Sequence, residues 1–349
     1  MENKSYVMWN NKGGVGKSTI TFHIASVYAE KNQERDVIVI DMCPQANSSS
    51  MLMGGGKDSE NKLQELISKE EPQTIVGYIT EATLRGDADI NKYITRINSV
   101  NANLSSNLYL ISGDGNLELI APLLSERAEA TPLSAADNPW IKIHSIIKNL
   151  TDKRIDENRP CTFFIDTNPS FAIYTQLAIV GGQQLLVPVN ADDSSIFAIT
   201  GLFNLIWGNS TIHPVYGKYT FAEKAKIHRL ELPKISYLLG NRFTQKIGAA
   251  NAFKALSNEA ISKMYSEYQS SPSKFEDRNI AINNITDFEK CYSVELRDFN
   301  SAGVVAANQG IPLSKMDKNT YEVYGQTIQV AKTQRDLCKE AIDSLVDKL

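Results

Sequence analysis

The run Lys12-Gly13-Gly14-Val15-Gly16-Lys17-Ser18-Thr19 stands directly between an apolar stretch, Tyr6 to Trp9, and a segment in which Ile20, Ile24, Val27 and Tyr28 recur at i, i+4, i+7 and i+8. The stretch reads as a buried strand and the segment as a helix with one apolar stripe. A strand, a glycine-rich turn and a helix in that order form the context of a phosphate-binding loop. Glycines let the backbone fold so tightly that successive N–H groups, from Gly13, Gly14, Val15 and Gly16 on to Lys17, Ser18 and Thr19, converge on phosphate oxygens, and the helix N-terminus adds the positive end of its dipole. Lys17 is placed to reach the outer phosphates, and the Ser18 hydroxyl to ligate Mg²⁺.

The fold around that loop follows from the spacing of further apolar runs. Val37 to Ile40, Leu108 to Ile111, Thr162 to Ile165, Leu185 to Val189 and Ile235 to Leu239 are short and β-rich, with helical segments between them. Strands alternating with helices predict an α/β fold, a mostly parallel doubly wound sheet flanked by helices. We expect one such unit over 1–349, with a helical insertion at 50–107, where the strand rhythm lapses after Gly54-Gly55-Gly56. Residues 209–233 read as irregular, and Gln269 to Arg278, with Pro272, as an exposed loop.

Composition narrows the function class. Lys plus Arg number 36 against 40 Asp plus Glu, a net charge of −4, so nucleic-acid binding would need a local patch. The four cysteines, Cys43, Cys161, Cys291 and Cys338, form no C-x-x-C pair, which argues against a zinc knuckle or a disulfide framework and suits a reducing cytoplasm. No leader-like start and no run of about 18 apolar residues is present, so neither export nor a membrane span is expected.

The loop departs from the common pattern in carrying Asn11 where a glycine is usual, followed by Lys12. In this it resembles the ParA/MinD family of deviant Walker ATPases, closest to the partition ATPases. The resemblance implies that ATP with Mg²⁺ drives a homodimer, in which Lys12 reaches the phosphates held by the partner copy. Asp41-Met42-Cys43-Pro44-Gln45-Ala46-Asn47 resembles the family's first switch, with Pro44, Gln45 and Asn47 fixing the register. Cys43 then replaces the aspartate credited in the family with positioning the attacking water. A thiol with an ordinary pKa near 8.5 is a poor acceptor for that proton, so slow hydrolysis is expected unless Asp41 substitutes. Phe163-Phe164-Ile165-Asp166-Thr167-Asn168-Pro169-Ser170 resembles the Walker B strand and second switch, with Asp166 on the Mg²⁺ side. By the same resemblance Lys12, Lys17 and Asp41 are catalytic candidates. Val187-Pro188-Val189 followed by Ser195 and Gly201 looks like the family's next strand and helix. Asn241 looks like its base-side residue, and Gly310-Ile311-Pro312-Leu313 like the segment near its adenine pocket.

Other features weigh less. His23, His144, His213 and His228 show no metal-ligand spacing and read as packing or solvent residues. No base is placed beside Ser18 or Cys43, which disfavours nucleophilic catalysis. Lys218, Lys224, Lys226, Arg229, Lys234, Arg242 and Lys246 face only Glu223 and Glu231, a basic run that is either a solvated face or a phosphate-backbone patch for non-specific DNA. A helix over Asp336 to Leu349, with Leu337, Ala341, Leu345 and Val346 on one side, is expected to pack and not to bind membrane. The expected function is an ATP-dependent dimer switch on DNA, in the cytoplasm and at the nucleoid, with weak hydrolysis stimulated by a ParB-like or other partner. The alternative is an ATP-clamped regulatory subunit with little turnover. Lys12 argues against a dethiobiotin-synthetase-like enzyme, and the cysteine spacing against an iron–sulfur reductase.

Overall fold

All six apolar runs become strands of one sheet. The computed structural model describes residues 2–190, 192, 194–208, 213, 215–243 and 247–349, with 242–243 and 247–255 as backbone alone. Its strands are β1 (Lys4–Met8), β2 (Asp36–Met42), β3 (Ile94–Arg96), β4 (Leu108–Ile111), β5 (Cys161–Thr167), β6 (Gln184–Asn190), β7 (Lys234–Phe243) and β8 (Ser293–Arg297). They form an eight-stranded sheet in the order β3-β4-β2-β5-β1-β6-β7-β8. Every neighbouring pair is parallel except β3 with β4.

The apolar runs lack polar alternation because both faces of the sheet are covered. Val7, Ile38, Ile40, Phe163 and Ile165 point into one core layer, while Tyr6, Met8, Val37, Val39 and Phe164 point into the other. Successive side chains thus serve opposite layers with the period of two that a strand imposes. Truncating one of the larger of them, such as Phe163, is expected to cost about 3–5 kcal/mol.

Helix α1 (Lys17–Lys31) starts directly from Gly16, whose left-handed φ of 84° lets the loop close onto the helix. Segment 50–107 is helical in large part, through the end of α2 (Asn47–Leu52), α3 (Gly56–Ile67) and α4 (Ile75–Arg85). It also gives the sheet its antiparallel edge, β3, a strand only three residues long. The stretch read as irregular holds a short helix, Phe221–Ile227, whose Thr220 hydroxyl accepts from Glu223 N. In the loop after the helix Ile247–Ser270, Phe275 is buried and bridges to Ile235, so that loop is anchored and not wholly exposed. The helix Lys332–Val346 packs against α1 and β8, burying Cys338, Ile342, Leu345 and Val346, with Leu337 only half-buried. Among the described residues no helix is long and apolar enough to cross a membrane.

β1, β2 and β5 end side by side. In register, Met8 and Asp41 both pair with Asp166. The three segments singled out in the sequence therefore leave the sheet at one edge, outside the carboxyl ends of the strands and where the chain order reverses, which is where open α/β sheets bind ligands.

Candidate phosphate-binding site

The loop Gly13 to Thr19 lines a cleft of about 330 Å³, closed by Cys43, Gln45 and Asn47 from the first switch and by Thr167, Asn168 and Pro169 after β5. Ser50, Met51 and Ala307 complete its far side. Lys17 is buried, and its Nζ donates to the carbonyls of Asn10 at 3.2 Å and Lys12 at 3.0 Å. Burial lowers its pKa, against the pull of the Asp166 charge. A lysine so placed holds its cation on the loop's own oxygens, which phosphate oxygens can replace.

Asp166 is wholly buried, and neither of its carboxylate oxygens accepts a hydrogen bond of ordinary geometry. Burial raises its pKa first and the neighbouring Asp41 charge second, while the nearby Ser18 and Ser48 hydroxyls and Lys17 pull it down. A buried carboxylate without partners is costly unless something else satisfies it. Its place beside Ser18 fits a hard divalent cation held by one carboxylate, one hydroxyl and phosphate oxygens. Among the described residues no group of three or more His, Cys, Asp or Glu side chains is placed to hold a metal.

Asp41 is buried beneath the first switch and does not line the cleft. Its Oδ1 accepts from Cys43 N at 3.0 Å, and its Oδ2 from Ser49 N at 2.9 Å and Ser49 Oγ at 2.6 Å. Those bonds tie the switch to α2. Cys43 does face the cleft; burial, and then the charges of Asp41 and Asp166, push its thiol up to about 12, so it is neutral.

Lys12 leaves the loop on the other side and forms an ion pair with Asp192. Asn241 lies behind the loop, 3% exposed, its Nδ2 donating to Val15 O at 2.9 Å; it is not among the residues lining the cleft. Gly310 packs on Gly54, and Leu313 N donates to His23 Nδ1 at 3.4 Å, so that segment meets α1 and the turn after α2. His23 is fully buried, and burial lowers its pKa to about 3, as a packing residue requires.

Asn190 and Asp192 were not among the residues expected at the site. Asn190 sits at the end of β6, and its Nδ2 donates to Gly14 O at 3.4 Å. Only their place just past an apolar run marks them in the sequence.

Residues 3–216 match a family model described as an AAA domain, AAA_31. The chain belongs to this family. A ParA family protein of Chlamydia trachomatis is 28% identical over 204 residues, covering 58% of this chain and 65% of that protein. A protein of Methanocaldococcus jannaschii is 25% identical over 237 residues, covering 65% of this chain and 78% of that one. The chain thus matches just under two thirds of the chlamydial protein's length. Among solved structures, a Cyanothece McdA variant in complex with ATP superposes with a TM-score of 0.58 at 16% identity, covering 99% of this chain and 96% of the other. A putative plasmid partition protein of Borrelia burgdorferi, bound to AMPPNP, gives 0.53 at 17% identity with full coverage of both chains, 100% each. At these identities the structures show the fold. With the family match, they make this a ParA/MinD-like deviant Walker protein.

Within that family the basic run is a divided surface. Lys224 is drawn onto Glu129, whereas Lys218, Lys226, Arg229 and Lys234 are exposed, Lys226 lying 3.3 Å from Glu223. Lys246 and the Arg242 side chain lie outside the described residues.

Proposed function

We propose that the chain is a nucleotide-driven switch, binding ATP with Mg²⁺ in the loop cleft and pairing with a second copy of itself while ATP is held. The observation that carries this is the combination of Lys17 on the loop carbonyls with the partnerless carboxylate of Asp166. ATP would supply the phosphate oxygens, and Mg²⁺, held by Ser18 and Asp166, would neutralise their charge. Lys17 exchanges two neutral carbonyl partners for charged oxygens, a stronger class of hydrogen bond. Lys12, to serve the phosphates held by a second copy, must leave Asp192. The McdA variant with ATP and the Borrelia protein with AMPPNP support the choice of nucleotide.

Non-specific DNA is the surface we assign to the switched dimer, through Lys218, Lys226 and Arg229, with a stimulating protein partner to reset it. The test is molar mass by light scattering with ADP, ATP and a slowly hydrolysed analogue, with phosphate release and DNA binding followed in parallel. ATP-dependent dimers and salt-sensitive DNA binding, both lost in Lys17→Ala, are expected; a wild-type monomer under every nucleotide would count against the reading.

A second reading is favoured by Cys43. With a neutral thiol in the cleft and Asp41 committed to Ser49, no carboxylate of the first switch is free to orient water. The protein then works as a clamp that is held closed by ATP and turns it over slowly, since general-base help is worth about 10²- to 10⁴-fold.

A further inference from the structure

The phosphate loop is held from below by two asparagines that are neighbours in the sheet. Asn190 ends β6, and its register partner on β7 is Asn241. Asn241 Nδ2 donates to Val15 O at 2.9 Å, and Asn190 Nδ2 to Gly14 O at 3.4 Å. The two bonds therefore fall on consecutive carbonyls of the loop.

We infer that Asn190 and Asn241 are positioning residues that aim the loop's N–H groups at phosphate; the inference rests on the cleft being a nucleotide site. A trans peptide is planar, so its C=O and the following N–H point in opposite directions, and no cis peptide occurs among the described residues. Drawing Val15 O down onto Asn241 turns Gly16 N–H up, and drawing Gly14 O down onto Asn190 turns Val15 N–H up. Val15 and Gly16 both line the cleft. Two amides beneath the loop thus set the direction of two donors above it.

Gly16 shows how tightly the brace fits. A Cβ there would lie 2.4 Å from Asn241 Nδ2, and its φ of 84° is one that side chains rarely adopt. The last loop glycine is therefore needed for the approach of Asn241 as well as for the turn. Asn241 is 3% exposed and is not among the residues lining the cleft, so its contact with the loop is made from behind the glycine-rich turn.

The experiment is calorimetric titration of MgATP and of magnesium tripolyphosphate, which has phosphates but no base, into wild type, Asn190→Ala, Asn241→Ala and Asn241→Asp. Each variant is expected to weaken both ligands by the same factor, about three- to tenfold, the worth of one hydrogen bond. Asn241→Asp keeps the side-chain shape but replaces the donor by a buried carboxylate that itself repels phosphate, so where Asn241→Ala is poorly folded the binding test rests on Asn190→Ala. In ligand-free protein the backbone amide resonance of Gly16 should move in Asn241→Asp, and that of Val15 in Asn190→Ala, which a packing role would not produce. Weakening for MgATP alone would make Asn241 a base contact and overturn the inference, as would unchanged binding of both ligands. Wild type that binds neither ligand removes the nucleotide site itself, a result separable from any effect of the variants.

Discussion

Lys12, the residue that sets this loop apart, is held within its own chain by Asp192. The pair is partly solvated, with side-chain exposures of 22% and 42%, and such ion pairs are worth about 0–1 kcal/mol. Asp192 also accepts from Ser194 Oγ at 2.8 Å, at the start of the helix Ser194–Trp207. Asp192→Asn keeps an oxygen for that bond and releases the lysine. The pair is broken once in each copy, so the concentration of half-dimerisation with ATP, measured by sedimentation, should then fall by up to about thirtyfold. Lys12→Ala should bind ATP and stay monomeric; dimers from that variant would remove the trans role.

Cys43 predicts the size of the catalytic deficit. Cys43→Asp puts a carboxylate in the cleft, and phosphate release should rise by about 10²- to 10⁴-fold if positioning of water is what the chain lacks. The new charge is buried beside Asp41 and Asp166, where burial and then those two charges already push the thiol up to about 12, so the ligand-free variant should also melt earlier than wild type. Brisk wild-type turnover that the substitution leaves unchanged would mean that another group orients water.

The basic run makes a prediction about selectivity among lysines. Lys224 sits on Glu129, so its charge is partly spent within the chain. Lys218 lies 5.1 Å over the Tyr219 ring and, like Arg229, stays exposed. Lys218→Glu with Arg229→Glu should abolish DNA retention at low salt, while Lys224→Ala leaves most of it; filter binding across a salt series distinguishes the two and reports the number of phosphates engaged from its slope.

What was legible in the sequence was local. The loop, the switches and the Walker strand are contiguous motifs, and six strands announced themselves as apolar runs buried on both faces. β8 escaped because it is an edge strand with only alternate burial, Val294 and Leu296 inward and Glu295 outward; β3 is three residues long. The roles of Asp41, Asp192, Asn190 and Asn241 depend on contacts made in three dimensions. Asn241 meets Val15 across 226 positions of sequence and Asn190 meets Gly14 across 176, separations that no periodicity can encode. Asp41 is marked by its motif, whereas its bonds from Ser49 and Cys43 are made only in the folded chain.

Asp166 couples stability, pH and metal binding with a definite sign. Its carboxyl is raised in the folded chain by burial and then by Asp41, so the folded state binds its proton more tightly than the unfolded state does. The group's contribution is fully present below the ordinary carboxylate range, near pH 4, and is lost as pH rises through the raised folded value. Ligand-free Asp166→Asn should therefore be more stable than wild type near neutral pH, by on the order of 1–3 kcal/mol, with the gap closing toward pH 4 where wild type is protonated. Binding of a cation reverses the balance, because it needs the ionised form, so MgATP binding to wild type should release protons. Calorimetry in two buffers of different ionisation enthalpy measures that release, and it should vanish in Asp166→Asn along with the Mg²⁺ dependence of ATP affinity. A variant that is no more stable than wild type at neutral pH, or that still releases protons, would show that Asp166 is neither strained in the free chain nor the group that meets the metal.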